Sequence, residues 1–370
     1  MTPGQRAPDA DRPDQASSRT LTGWSLGTVA VLCVTAGVLA ACGQKGAPHA
    51  TVSVVPATTD QGHTWQWTAA CPFRPVRAGG CGASAPILRF AELSGDEWNL
   101  GGAPANGSVR MTVGSSGSVT VQGALDAAPP CTDSTCIAPS AGTWVRGYPS
   151  VLYGVDQCNA STSPPRAPAL ALPIRVGSLR PDLIGTTTYS SIARHVTFDI
   201  AYDMWLNSSD TETPCTTGGT VEVMVWTDYD DRALLPQSLL VGTASVPYAV
   251  NGRTHLGQHA WSIFATNVYR GGQTAPWGGT VWLVLDQAAL ISRGTVRVDL
   301  STALSAVGTL LQDNYGWTDF SRNYWLDTIP FGIEFGPQDA SPASAGASAF
   351  SLNISSYCLD VGATLSDAAC

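Results

Sequence analysis

Charge is scarce in this chain. Only 13% of its 370 residues are charged, and 19 basic residues face 28 acidic ones. At a formal net charge of −9 no basic patch exists to displace counterions from phosphates, which excludes a nucleic-acid partner. Histidine is rare as well, with five in all. His255 and His259 lie four apart, but no third ligand accompanies them. No Cys-x-x-Cys pair occurs, so the usual ligand spacing of a zinc site is missing, and neither a metal nor another cofactor is expected. A Ser-His-Asp arrangement and a phosphate-cradling glycine loop are absent too.

What is abundant points to strands. Gly (38) and Pro (25) are plentiful, as turns between short strands require. Segments 108–113, 118–122, 196–206, 220–228, 279–286, 294–300 and 347–356 read as strands, separated by Gly, Pro, Asn, Asp and Ser clusters. One segment differs. Leu300, Leu304, Val307 and Leu311 recur at helical spacing, with Ser301 as N-cap and Gly316 after the end. The expected fold is all-β: an antiparallel sandwich with one short helix, a single domain spanning residues 65–370.

The N-terminus sets the compartment. Arg6, Arg12 and Arg19 precede an apolar run from Leu21 to Ala41, which ends in Leu39-Ala40-Ala41-Cys42-Gly43. Small residues directly before a Cys, behind a hydrophobic segment, resemble a bacterial lipoprotein signal peptide. The run could span a bilayer, but the small residues have no use in a spanning helix. We therefore expect cleavage after residue 41, lipidation of Cys42, and a flexible linker over 42–64. The folded part would be extracytoplasmic, tethered to the membrane through acyl chains or secreted.

Cysteine usage fits that compartment. Ten cysteines, less Cys33 in the leader and Cys42, leave eight: Cys71, Cys81, Cys131, Cys136, Cys158, Cys215, Cys358 and Cys370. An even number in an exported chain reads as disulfides. Short loops favour Cys71–Cys81, Cys131–Cys136 and Cys358–Cys370, which leaves Cys158–Cys215.

Three acids lie inside strand patterns, where a charge needs a reason. In Thr220-Val221-Glu222-Val223-Met224-Val225-Trp226, alternation puts Glu222, Met224 and Trp226 on the face opposite the valines. Asp203 shares a face with Trp205 in Tyr202-Asp203-Met204-Trp205. Glu334 is flanked on its own face by Gly332 and Gly336, which would leave room for a substrate. Two carboxyl groups facing each other are the minimum equipment for hydrolysing a glycosidic bond.

These motifs resemble glycoside hydrolase family 12. Glu222-Val-Met-Val-Trp226 is similar to the family's nucleophile strand, and Gly332-Ile-Glu334-Phe-Gly336 to its acid/base strand. Gly147-Tyr148-Pro149-Ser150 is similar to a cleft-edge motif, and Tyr202-Asp203-Met204-Trp205-Leu206 to the strand whose Asp lies beside the nucleophile. The resemblance runs from about residue 87 to 356. It implies a concanavalin-like β-jelly-roll, no cofactor, and cleavage of β-1,4-glucan (cellulose, mixed-linkage glucan or xyloglucan) with retention of configuration. Glu222 would be the nucleophile, Glu334 the acid/base and Asp203 the nucleophile's partner.

Substrate contacts are expected from Trp98, Trp144, Tyr148, Trp205, Met224 and Trp226, with the protein acting as a monomer. The chain departs from the family at Gly95 and Asp96, where Asn-Asn is usual, and an acceptor-only carboxylate replaces a donor. A carbohydrate-binding surface lipoprotein of the same fold, without turnover, is the alternative.

Overall fold

The computed structural model describes residues 49–370 apart from segments 58–60, 69–70, 72–75, 78–79, 82–87, 96–106, 126–144, 156–166, 180–181, 209–218, 231–232, 234, 256–260, 276–277, 287–290, 338–347 and 367–369. The chain divides into two units, Met1–Gln44 and Lys45–Cys370. The leader and Cys42 lie outside the described residues, as do Cys131, Cys136, Cys158 and Cys215. Among the described residues no helix is long and apolar enough to cross a membrane.

Among the described residues two nine-stranded sheets form the domain, each a path of eight strands with one more beside it: Ala50–Val55 against Ser348–Val361 in the first, and Ile174–Arg175 against Trp325–Pro337 in the second. One, here the back sheet, runs in spatial order Arg253–His255, Tyr248–Val250, Arg293–Asp299, Leu183–Arg194, Ser348–Val361, Val119–Leu125, Gly107–Val113 and Thr64–Thr68. The front sheet runs Leu240–Ala244, Trp261–Thr266, Gly279–Leu285, Val221–Tyr229, Val196–Asn207, Trp325–Pro337, Ser150–Gly154 and Ala91–Ser94. All-β sandwich architecture is therefore as expected. Pairing is antiparallel in both sheets except between Val221–Tyr229 and Gly279–Leu285, which run parallel.

The core follows from strand alternation. Val221, Val223 and Val225 face inward together with Ile200, Tyr202, Met204 and Leu206 of the neighbouring strand and Phe331, Ile333 and Phe335 of the next, all within the main core. Tyr202 carries a polar tip into that core, and its hydroxyl meets Thr187 Oγ1 of the back sheet at 2.7 Å. A buried hydroxyl without a partner would be costly, so this contact pins the two sheets in one register.

Three sequence expectations need correction. Residues 42–64 are not all linker: Ala50–Val55 is a strand, paired with the far half of Ser348–Val361. Alternation there is short and flanked by polar residues, so composition alone read it as a spacer. The helix runs Leu300–Tyr315, and its N-cap is Asp299 rather than Ser301. Asp299 Oδ1 accepts from the Thr302 N–H at 2.9 Å and from the Ser301 hydroxyl at 2.6 Å, while Oδ2 accepts from the Thr302 hydroxyl at 2.7 Å. Ser301 supports the cap instead of being it. At the other end Gly316 closes the helix in the left-handed region, φ 65°, as expected. Asp299→Ala should cost about 1 kcal/mol of stability, read from urea unfolding, because the first-turn donors lose their acceptor. An unchanged midpoint would refute that role.

The third correction concerns glycine. Gly332 does not open space for a ligand: a Cβ there would meet the Pro149 carbonyl oxygen at 2.5 Å and Ser150 Cβ at 2.6 Å. Its bareness lets the neighbouring strand approach. Gly95 is similar, lying flat on the Trp67 ring, where a Cβ would sit 2.2 Å from the indole. No larger residue fits there, which accounts for one departure from the family pattern. Of the expected disulfides, Cys358–Cys370 is present and Cys71 is disulfide-bonded.

Candidate active site

The site is built on three adjacent strands of the front sheet: Val221–Tyr229, Val196–Asn207 and Trp325–Pro337. Cross-strand register fixes which side chains meet on the face turned away from the core. Glu222 lies opposite Trp205, Met224 opposite Asp203, and Trp226 opposite Ala201. On the other flank Gly332 lies opposite Ala201, and Glu334 opposite Asp199. Glu222 and Glu334 thus sit on the two strands that flank the Asp203 strand, not on strands paired with each other. A bulge between Ile200 and Ala201 interrupts the first ladder, and bulges add local twist.

Each acid has a distinct setting. Glu222 is half-buried and accepts from the Thr280 hydroxyl at 2.8 Å. Burial raises its pKa to about 7, and the Thr280 bond pulls it partly back. Asp203 is 4% exposed and accepts from the Trp205 indole N–H at 3.0 Å. Glu334 is 8% exposed, and burial, then the charge of Asp199, a hydrogen bond with Asp199 and the charge of Glu222 push its pKa well above the usual carboxylate range. The Glu222 charge reaching Glu334 means that the two glutamates share one electrostatic neighbourhood.

Asp199 was not anticipated. It is fully buried, and burial pushes its pKa up, the hydrogen bond with Glu334 pulls it partly back, and Asp203 and Glu222 add repulsion. The signal was present in the sequence: Asp199 precedes Asp203 by four residues in one strand, an even spacing that puts both on one face. Thr280 was also missed, since nothing in its own segment marks it; only the parallel pairing with the Glu222 strand brings it there.

The expected sugar contacts divide. Trp205 is partly exposed and lies over Asp203. Tyr148 is buried, and its hydroxyl donates to the Ala201 carbonyl at 2.8 Å, so it braces the central strand from the neighbouring segment. Trp226 and Met224 are each 1% exposed and pack with Tyr229, Ala233, Leu235, Phe264 and Trp282 in a second apolar cluster. The expectation that they contact sugar is therefore corrected. Ala233 and Leu235 pack in one cluster with the ring, and apolar contact wins over exposure. Trp98 and Trp144 lie outside the described residues.

Chemically, the arrangement holds four carboxyl groups against one sheet face, three of them buried. Like charges this close cannot all ionise at neutral pH, so at least one stays protonated beside others that do not. A proton donor and an anionic nucleophile then coexist in one site. Among the described residues no group of three or more His, Cys, Asp or Glu is placed to hold a metal ion.

Fold and site together define a β-sandwich protein with a buried acid cluster on one sheet. No family model matches the chain, and no curated protein matches it. Solved structures do resemble it. A family 12 xyloglucanase from Bacillus licheniformis in complex with ligand aligns at a TM-score of 0.47 and 15% identity, over 74% of this chain and 95% of that one. The endo-1,4-β-glucanase CelB2, a cellulase, aligns at 0.47 and 18%, over 79% and 97%. Endoglucanase 3 of Trichoderma harzianum, from family 12, aligns at 0.44 and 15%, over 80% and 96%. At these scores the likeness says nothing about chemistry, which has to come from the side chains.

Proposed function

We propose that this protein is a retaining, endo-acting glycoside hydrolase that cleaves β-1,4-glucan. The observation that carries the reading is the pair Glu222 and Glu334, on one sheet face and within each other's electrostatic reach, with burial raising the pKa of both. Their strand motifs resemble those of family 12 residue by residue. Glu222, ionised, attacks the anomeric carbon while Glu334 gives its proton to the departing oxygen. Water, deprotonated by Glu334, then displaces Glu222 from the sugar. Asp203, braced by the Trp205 indole, supports the carboxylate of Glu222 from the intervening strand.

Incubation with cellulose, mixed-linkage β-glucan and xyloglucan tests the proposal. Internal cleavage should yield oligosaccharides whose new reducing ends appear first as the β-anomer by proton NMR. Binding to these polymers without any new reducing ends would instead favour the non-catalytic, carbohydrate-binding alternative. An α-anomer appearing first would remove retention.

A further inference from the structure

Asp199 has no part in the double displacement above, yet it is the most deeply buried acid of the cluster. Its direct cross-strand partner is Glu334. Cβ atoms so paired lie about 4.5–5.5 Å apart, within easy reach of two carboxyl groups. Among the described residues no N–H or hydroxyl donates to either oxygen of Asp199. The hydrogen-bonding group that reaches it is the carboxyl of Glu334. Two ionised carboxylates cannot bond to each other, so the contact requires a proton.

Other polar groups around the pair are engaged elsewhere. Tyr148 donates to Ala201 and Tyr229 to the Leu285 carbonyl, at 2.8 and 3.2 Å. Glu222 accepts from Thr280 and Asp203 from Trp205. Arg146 is buried and donates to its neighbour's carbonyl, Val145 O, at 3.3 Å. Tyr148, Tyr229, Glu222 and Asp203 are phenols or acids and carry no positive charge to offset that of Asp199.

We propose that Asp199 and Glu334 share a single proton across the strand pair, with Asp199 acting as a positioning residue that keeps Glu334 in its acid form. The catalytic consequence rests on reading Glu334 as the acid/base. Glu334, 8% exposed, is the member that can deliver the proton outward, while Asp199, at 0%, holds it from behind. When Glu334 passes its proton to the glycosidic oxygen, it becomes a carboxylate beside a second carboxylate. That repulsion makes it a better base for taking the proton from water in the second step, which restores the starting pair.

The test has two readouts on wild type, Asp199→Asn, Glu334→Gln and the double variant. Thermal unfolding followed against pH comes first. An acid whose folded pKa is raised stabilises the fold below its unfolded pKa and loses that contribution as pH rises through the folded value. Here the fall should start at about 4, the unfolded value, and extend toward the raised folded pKa of the pair, which titrates as a unit. Both single variants should flatten the upper part of that fall, and the double variant should flatten it no further. Equal pH dependence in wild type and both variants would overturn the shared proton, and Glu334→Gln keeps the test open if Asp199→Asn misfolds. The second readout is kcat/KM on a soluble β-glucan. Its alkaline limb should move toward acid by about one pH unit or more in Asp199→Asn, because a neutral amide replaces the neighbouring charge. An unmoved limb would overturn the positioning role. If wild type hydrolyses no glucan while the unfolding difference persists, the glucanase reading fails and the shared proton stands.

Discussion

Glu222→Gln is expected to reduce hydrolysis of β-glucan by at least on the order of 10³-fold while leaving the fold intact. The amide is nearly isosteric with the carboxylate and can still accept from Thr280, the bond that holds Glu222 at 2.8 Å. What it cannot do is form and release an ester with the anomeric carbon, so no second pathway of similar rate is available. The pH dependence gives an independent check. Burial pushes Glu222 up to about 7, and the attacking form is the ionised one. Activity in the wild type should therefore rise through neutrality and fall as acid protonates the nucleophile, and because the carboxyls are coupled the limb belongs to the cluster, not to one residue. A Glu222→Gln protein that turns over glucan at the wild-type rate removes the assignment.

Glu334→Gln should behave differently, and the difference matters more than the size of the loss. On glucan the expected fall is about 10²–10⁴-fold, the usual range for a lost acid/base. An aryl β-glycoside with a good leaving group needs no proton on departure, so its first step should survive. The covalent sugar would then accumulate for want of a base, and azide, which needs none, should release it as the β-glycosyl azide. A loss that is equal for glucan and aryl glycoside, with no effect of azide, would show that Glu334 does something else. Both results together would assign the two carboxyls the nucleophile and acid/base roles of a retaining double displacement.

Much of this arrangement was legible because it depends on a period of two. Val221, Val223 and Val225 against Glu222, Met224 and Trp226 is a pattern that only a strand satisfies, and the structure keeps it. The same alternation put Asp203 and Trp205 on one face, where they now share a hydrogen bond. What the pattern could not convey is which strands become neighbours. Thr280 meets Glu222 only through a parallel pairing between segments 58 residues apart. Gly332 looked like open space beside a catalytic group until Pro149 was found pressed against it. Trp226 had the right face but not the right exposure, since Ala233 and Leu235, which pack with it, lie beyond the strand where no periodicity can be read. Leu183–Arg194 escaped notice because its Thr-Thr-Thr-Tyr-Ser-Ser run is polar on both faces, and its burial comes from strands on either side.

The last strand of the chain, Ser348–Val361, lies inside the back sheet rather than at its edge. Leu183–Arg194 pairs along one side of it, and Val119–Leu125 followed by Ala50–Val55 along the other. Synthesis therefore leaves a gap in the middle of the sheet until the final residues emerge, and the first strand waits for nearly the whole chain before it finds its partner. Pairings of such long separation close slowly, because the loop entropy has to be met before any contact rewards it. Until residues 348–361 are made, neither Leu183–Arg194 nor Val119–Leu125 has its partner on that side, and the two halves of the back sheet cannot join.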